Sequence, residues 1–316
     1  MRVSAAIARR ATLWYARVTL LRLRIDHLHG EGNGIMALTY RVKPGKSVSL
    51  AGIDPGSTEE VARADAETRL AALGPRLTSL QEMQYAAGQQ GILIVLQGLD
   101  TAGKDGTIRR VMAQFNPASC RVEAFKVPTA NEQAHDFLWR IHAVTPRVGE
   151  IAIFNRSHYE DILAVRVQNL APEAVWAPRY EQINAFESLL AVSGTIVIKF
   201  FLHVSKHEQR DRLLAREADK DKAWKLSNSD WPTHALYGRY IEAYEEVLGR
   251  CSTAYAPWYI VPADHKWFRN LAVAQTIVDL LDPHAADWKA ALEKRGAARL
   301  ADRAAQRVAA PPPSQE

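Results

Sequence analysis

Cysteine is scarce in this chain. Only Cys120 and Cys251 occur in 316 residues, far apart and without a C-x-x-C pair, which argues against a disulfide scaffold or a zinc framework and fits a reducing, cytoplasmic compartment. Surplus charge is scarce as well once the N-terminus is set aside. Of the formal net charge of +5, the first 35 residues hold +4, from six arginines against Asp26 and Glu31. The remainder is close to neutral, so bulk charge gives no support to a nucleic-acid partner. Long apolar runs are also missing. Arg17, Arg22 and Arg24 interrupt the basic leader 1–35, which argues against a secretory signal or a membrane span. Met36 reads as an alternative start, with an amphipathic targeting segment as the lesser reading. No internal repeat is seen, and the Pro311-Pro312-Pro313 tail reads as disordered.

What is present begins with an apolar run, Ile92-Leu93-Ile94-Val95-Leu96, that reads as a buried strand and leads into Gly98-Leu99-Asp100-Thr101-Ala102-Gly103-Lys104-Asp105-Gly106. A strand entering a Gly-rich turn that opens a helix gathers backbone N–H groups around one anion, and Lys104 adds a mobile ammonium. The G-x-x-x-x-G-K spacing is met. Asp105, however, stands where the common motif has the Ser or Thr that holds Mg²⁺. Asp100 is the substitute expected to meet the metal, because a carboxylate beside a phosphate cradle needs a cation or a proton between them. A Gly-rich turn with no ligand is the plainer reading, and the flanking strand and helix pattern outweigh it.

Around this motif the hydrophobic periodicity predicts an α/β chain. Ser57 and Glu60 have capping-box spacing before a pair of helices broken at Gly74-Pro75. Strands are expected near Arg121–Phe125, Glu150–Phe154, Thr195–Leu202 and Trp258–Val261. Helices are expected near Asn131–Ala143, Glu173–Leu190, Trp267–Leu281 and Ala285–Val308. The implied fold is a doubly wound α/β sheet with helices on both faces. The implied division is a leader at 1–35, a main domain at 36–284, and a C-terminal helix and tail at 285–316.

Two further polar clusters stand out. After the third strand come Asn155-Arg156-Ser157-His158-Tyr159-Glu160-Asp161. No acid stands at the strand end itself, so Asp161 is the residue expected to serve a metal there. Each of these residues has an ordinary surface or packing role open to it, and their clustering favours a site. Between Ser205 and Asp230, Arg210, Arg212, Arg216, Lys220, Lys222 and Lys225 are interleaved with acids. A lid closing over a polyanion and a salt-bridged surface helix fit that pattern equally.

With these segments, Val127-Pro128-Thr129, Asp136-Phe137-Leu138-Trp139-Arg140, Lys199 to Ser205, Trp224-Lys225 and Ala256-Pro257-Trp258 all in order, the chain resembles the polyphosphate kinase 2 family from about Thr39 to Leu281. The resemblance implies a P-loop kinase-like parallel sheet with a basic helical lid at about 206–232, and makes 36–284 a Mg²⁺- or Mn²⁺-dependent phosphotransferase domain that moves a terminal phosphoryl group between inorganic polyphosphate and a nucleotide. Carried over to this sequence, Gly98, Ala102, Gly103, Lys104, Asp105 and Gly106 would hold the donor phosphates. Asp100 and Asp161 would organise the metal and the attacking oxygen. Asn155, Arg156, Glu160 and Arg140 would meet the nucleotide, and Arg210, Arg212, Arg216, Lys222 and Lys225 would line the lid. Lys104-Asp105-Gly106 and Glu160 most resemble the third class, which implies AMP and ADP as acceptors, ATP in the reverse direction, and guanine nucleotides as further substrates. A homodimer or homotetramer is implied, with no nucleic-acid or membrane partner. The rival readings are a thymidylate-kinase-like enzyme with ATP as donor and a non-catalytic scaffold. The chain departs from the family pattern at Ala223, Thr233, His234 and Tyr237, and Pro232 is expected to interrupt the segment. That leaves the lid with fewer permanent charges, and His234 is expected to restore part of the grip when protonated.

Overall fold

A computed structural model describes residues 37–221 and 223–309. The leader 1–35, Lys222 and the proline-rich tail lie outside the described residues. Six strands form one sheet in the order β1-β6-β5-β2-β4-β3, where β1 is Tyr40–Arg41, β2 Gly91–Gln97, β3 Cys120–Ala124, β4 Ile151–Asn155, β5 Thr195–His203 and β6 Trp258–Pro262. Strands β2 to β6 pair in parallel. The edge strand β1 runs antiparallel to β6, so the expected parallel sheet is a mixed one. Two residues are too few to show a strand period, which is why β1 was not legible in the sequence.

Every residue of β2 is buried, as a central parallel strand covered on both faces requires. One group of helices packs around α1 (Arg63–Ala87): α11 (Lys266–Leu281) and α12 (Ala285–Ala309) lie against it, and α2 (Lys104–Arg110) lies against α11. A second group consists of α5 (Glu160–Val167), α7 (Arg179–Val192) and α10 (Tyr237–Arg250), with α7 packed on β5. The chain order reverses at β2, since the strands after it are laid to one side as β3 and β4 and then to the other as β5 and β6. In open α/β sheets the crevice beyond the strand ends at such a reversal is where ligands bind.

The helix boundaries differ from expectation in three places. The pair predicted from Ser57 is one helix, α1, which begins at Arg63 and runs through Pro75. Ser57 does not cap it but donates to Glu59 at 2.9 Å. The Thr78 hydroxyl donates to the carbonyls of Gly74 and Gln114, at 3.2 and 2.7 Å, tying the turn that holds Pro75 to the chain beside it. The stretch 131–143 is instead two short turns, α3 (Ala130–Gln133) and α4 (Trp139–His142). Thr129 and Glu132 close a full capping box on the first, and the Asp136 carboxylate receives the Leu138 N–H at 3.0 Å between them. Pro178 separates α6 (Glu173–Trp176) from α7, because it supplies no N–H to continue the ladder.

Candidate active site

Because β2 and β4 pair with Leu96 opposite Asn155, the loops that leave their C-terminal ends meet. The first is the glycine-rich loop. Its backbone is left-handed at Thr101 (φ 65°) and Gly103 (φ 104°), the second a conformation that glycine adopts without steric cost. A Cβ on Gly98 would stand 2.9 Å from the Leu202 carbonyl oxygen, and one on Gly103 would overlap the Arg269 guanidinium. The loop is therefore packed from beneath by β5 and α11. Lys104, only 8 % exposed, curls back so that its Nζ donates to the carbonyls of Gly98 and Leu99 at 2.6 and 3.1 Å. Burial, reinforced by Arg156, pushes its ammonium down to about 8, with Asp100, Glu160 and Asp105 partly offsetting both.

Arg156 opens the second loop in a left-handed conformation (φ 64°). Its Nη2 donates to Asp100 Oδ1 at 2.6 Å, and its Nη1 lies 4.0 Å from Glu160. Burial alone would lower the guanidinium's proton affinity, but Glu160 and Asp100 outweigh it and raise it. Burial raises Glu160 despite the opposing pull of Arg156 and Lys104. Asn155 Nδ2 donates to Asp105 Oδ1 at 2.8 Å and staples one loop to the other. Asp100, Lys104, Asp105, Asn155, Arg156 and Glu160 thus form one charged cluster, as a family of residues 50 positions apart in sequence can only do across two adjacent strands.

Asp161 faces different partners. Its carboxylate lies 3.6 Å from Arg140 Nη2 and 3.8 Å from Arg179 Nη1, and Arg179 also donates to its backbone carbonyl at 2.5 Å. Burial raises its pKa, while Arg140, Arg179 and His158 work to lower it. Arg140 lies over Phe125 and Arg179 over Phe137, with the cation 5.6 and 4.8 Å from the ring centres. Sequence reasoning missed Arg179. The signal available was its place directly after Pro178, at a helix start near the second polar cluster.

The basic segment divides by face. In α8 (Lys206–Ala218), capped by Ser205 accepting the Glu208 N–H at 3.1 Å, Arg212 turns inward. Its Nη1 reaches the carbonyls of Thr101 and Ala102 at 2.9 and 3.3 Å, and its Nη2 those of Ala263 and Asp264 at 2.7 Å each. Gln209 Nε2 adds a bond to the Asp100 carbonyl at 3.2 Å. Arg212 therefore buttresses the glycine-rich loop instead of standing ready above it. Arg216 pairs with Asp230 at 3.3 Å, and Arg210 is exposed. Lys225 ends a single 3₁₀ turn from Ala223. Pro232 does not interrupt the segment, because it falls in the first turn of α9 (Asp230–Ala235), where no N–H is needed. The His234 ring Nδ1 lies 2.8 Å from Gln209 Oε1. Burial, then Lys206 and Arg210, push this histidine below its ordinary value, which works against its serving as a cation near neutral pH.

The expected metal ligands can be weighed against these surroundings. Among the described residues no group of three or more His, Cys, Asp or Glu could cage an ion. Mg²⁺ held between phosphates needs only one or two carboxylates. Asp100, beside Lys104 with one oxygen on Arg156, fits that donor set. Asp161 already faces two guanidinium groups, although its Oδ2 is buried with no hydrogen-bond partner.

Residues 60–289 match the family described as Polyphosphate kinase 2 (PPK2). The chain belongs to the polyphosphate kinase 2 family. Membership makes it a phosphoryl-transfer enzyme, as the loop motif and the ordered segments implied. It is 49 % identical over 245 residues to an AMP/ADP-polyphosphate phosphotransferase of Meiothermus ruber, covering 77 % of this chain and 92 % of that one. It is 43 % identical over 219 residues to an ADP-polyphosphate phosphotransferase of Rhodopseudomonas palustris, covering 66 % and 76 %. Among solved structures, polyphosphate kinase 2 from Arthrobacter aurescens TC1 superposes with a TM-score of 0.73 at 40 % identity, over 78 % of this chain and 92 % of that one. Membership of this polyphosphate kinase 2 family accounts for a kinase-like sheet whose two central loops concentrate charge at one point.

Proposed function

We propose that the enzyme transfers the terminal phosphoryl group of inorganic polyphosphate to ADP and AMP, reversibly, in the cytoplasm and as a homo-oligomer. The observation that carries this reading is the joining of Lys104 and Arg156 at one point, each cation held by its own neighbours and both coupled to Asp100 and Glu160. Phosphoryl transfer asks little covalent chemistry of the protein. It asks for two highly charged groups to be placed in line and for cations at the oxygens where charge develops. The loop amides and Lys104 would bind the donor chain, and Arg156 with Asn155 would orient the acceptor phosphate. Arg140 and Arg179, anchored on Asp161, would bound the nucleotide side.

The residues fit a divalent ion at Asp100. Mg²⁺ bound there would supply neutralisation of bridging phosphate oxygens. Asp100 also fixes the rotamer of Arg156 through the 2.6 Å bond, so it positions a cation whether or not it meets a metal. Two close relatives are named for ADP or for both AMP and ADP, which supports the dual acceptor. No helix among the described residues is long and apolar enough to cross a membrane.

The test is ATP formation from long-chain polyphosphate, Mg²⁺ and either ADP or AMP, with Lys104→Ala alongside. Lys104-dependent ATP from both acceptors is expected. Absence of ATP from either, with product appearing only when ATP and a monophosphate are supplied, overturns the proposal in favour of an ATP-dependent nucleotide kinase.

A further inference from the structure

Arg269 lies in the helix expected near Trp267–Leu281 but in none of the polar clusters expected to form the site. It sits in α11 among Phe268, Leu271 and Ala272, is 3 % exposed, and reaches under the glycine-rich loop. Its Nη1 donates to the Ala102 carbonyl at 3.2 Å, and its Nε and Nη2 to Asn270 Oδ1 at 3.2 and 2.8 Å. Both acceptors are neutral, and no carboxylate among the described residues is ion-paired with it. Burial, reinforced by another cation, Arg212, lowers its guanidinium to about 10. It thus stays charged at neutral pH in a setting that opposes charge. A buried cation without a counter-ion is unfavourable for a free protein, which is a reason to look for what it serves.

Two features of the loop say what that is. Gly103 and Gly106 both lie on this guanidinium. A Cβ would come within 1.7 Å of Nη1 at the first and 3.1 Å of Nη2 at the second, so the glycine spacing is matched to the arginine as well as to a turn. Arg269 and Arg212 also converge on one oxygen, the Ala102 carbonyl. In a trans peptide the N–H points opposite to the C=O. The Gly103 N–H therefore points away from the two arginines, and charged donors on the carbonyl polarise it into a stronger donor.

We propose that Arg269 is a positioning residue for phosphate binding, which fixes and polarises the Ala102–Gly103 peptide and lends the loop a buried positive charge that a bound polyphosphate chain offsets. The assignment rests on the functional reading above. It makes α11 part of the donor site, although no Arg269 atom is required to touch phosphate.

The experiment compares wild type with Arg269→Gln and Arg269→Lys. Tripolyphosphate binding is measured by calorimetry, melting temperature is measured without ligand, and KM is measured for polyphosphate and for ADP. Arg269→Gln is expected to weaken tripolyphosphate binding roughly tenfold to a hundredfold and to raise KM for polyphosphate but not for ADP. Its ligand-free melting temperature should be unchanged or higher, and Arg269→Lys should recover part of the affinity. Wild-type affinity in folded Arg269→Gln overturns the assignment. So does a fall in melting temperature in both variants with no recovery by lysine, which would make Arg269 a packing residue. Absence of wild-type ATP formation from polyphosphate would instead overturn the functional reading, while the calorimetric comparison would still decide the role of Arg269.

Discussion

Lys104 is the residue whose chemistry is most exposed to measurement. Its ammonium is buried and lies beside Arg156, so in the free enzyme it titrates near 8 rather than at the ordinary 10.5. Binding a polyanion requires the charged form. We therefore expect kcat/KM for polyphosphate to fall as pH rises through about 8, since that ratio reports the free enzyme. Lys104→Arg should abolish the decline at a lower absolute rate, because guanidinium keeps its charge but not its reach. Stability of the ligand-free protein should run the opposite way. Between pH 8 and 10.5 the unfolded state holds more protons at this site than the folded state, so unfolding free energy rises with pH across that window. A profile flat across the same window would show that Lys104 is not the titrating group. The loop itself was legible in the sequence because glycine spacing and a preceding apolar strand are local signals. Arg179 and Arg269 were not, because each acts across a fold that brings distant positions together. The one hint for Arg269 was a charged residue on the apolar face of a helix.

Among the elements, α8 shows where sequence pattern stops. Arg210, Arg212 and Arg216 share one helix with interleaved acids, and periodicity alone left open a lid or a salt-bridged surface. In the structure Arg212 is spent on Glu208, one turn back on the same helix, and on four backbone carbonyls from two loops, Arg216 faces Asp230, and Arg210 is exposed. The three should separate in experiment. Arg212→Ala removes the partners of buried carbonyls and should destabilise the protein by about 1–3 kcal/mol, read as a lower melting temperature. Arg210→Ala should leave melting unchanged. If it contributes to polyphosphate binding, it does so through solvent, so its KM effect should shrink with added salt. Equal melting temperatures for the two variants would show that Arg212 is not the buttress described here. The same limit explains why a predicted helix over 131–143 is two short turns, the first of them capped. Apolar spacing was present, but Asp136 and the Thr129 capping box are stop and start signals that override it.

At the scale of the whole molecule, one buried ammonium ties four segments together. Lys199 of β5 donates to Glu187 of α7 at 2.5 Å, to the Tyr159 hydroxyl at 2.8 Å, and to the Cys251 carbonyl at 2.7 Å. His158 lies 3.2 Å from the same Glu187. Tyr159 precedes the helix that carries Glu160 and Asp161, so this network links the sheet centre to the second loop of the active site. The strand pattern foretold a buried β5, but a lysine in it gave no local sign of its partners. Burial alone would raise Glu187, yet Lys199 and His158 outweigh it and hold the carboxyl below its ordinary 4.5. A depressed carboxyl contributes stability that is complete above the unfolded value and is lost as pH falls below it, so acid should act on the fold through this pair. Removing one partner strands the other's charge. Glu187→Leu should therefore cost about 3–5 kcal/mol, whereas Lys199→Met with Glu187→Leu should recover much of that loss, because paired buried charges are often replaceable by apolar groups of similar volume. Urea unfolding of both variants decides the matter. If the double variant is as unstable as the single one, what the network supplies is geometry rather than charge balance, with Tyr159 and Cys251 left without the donor that holds their segments in place.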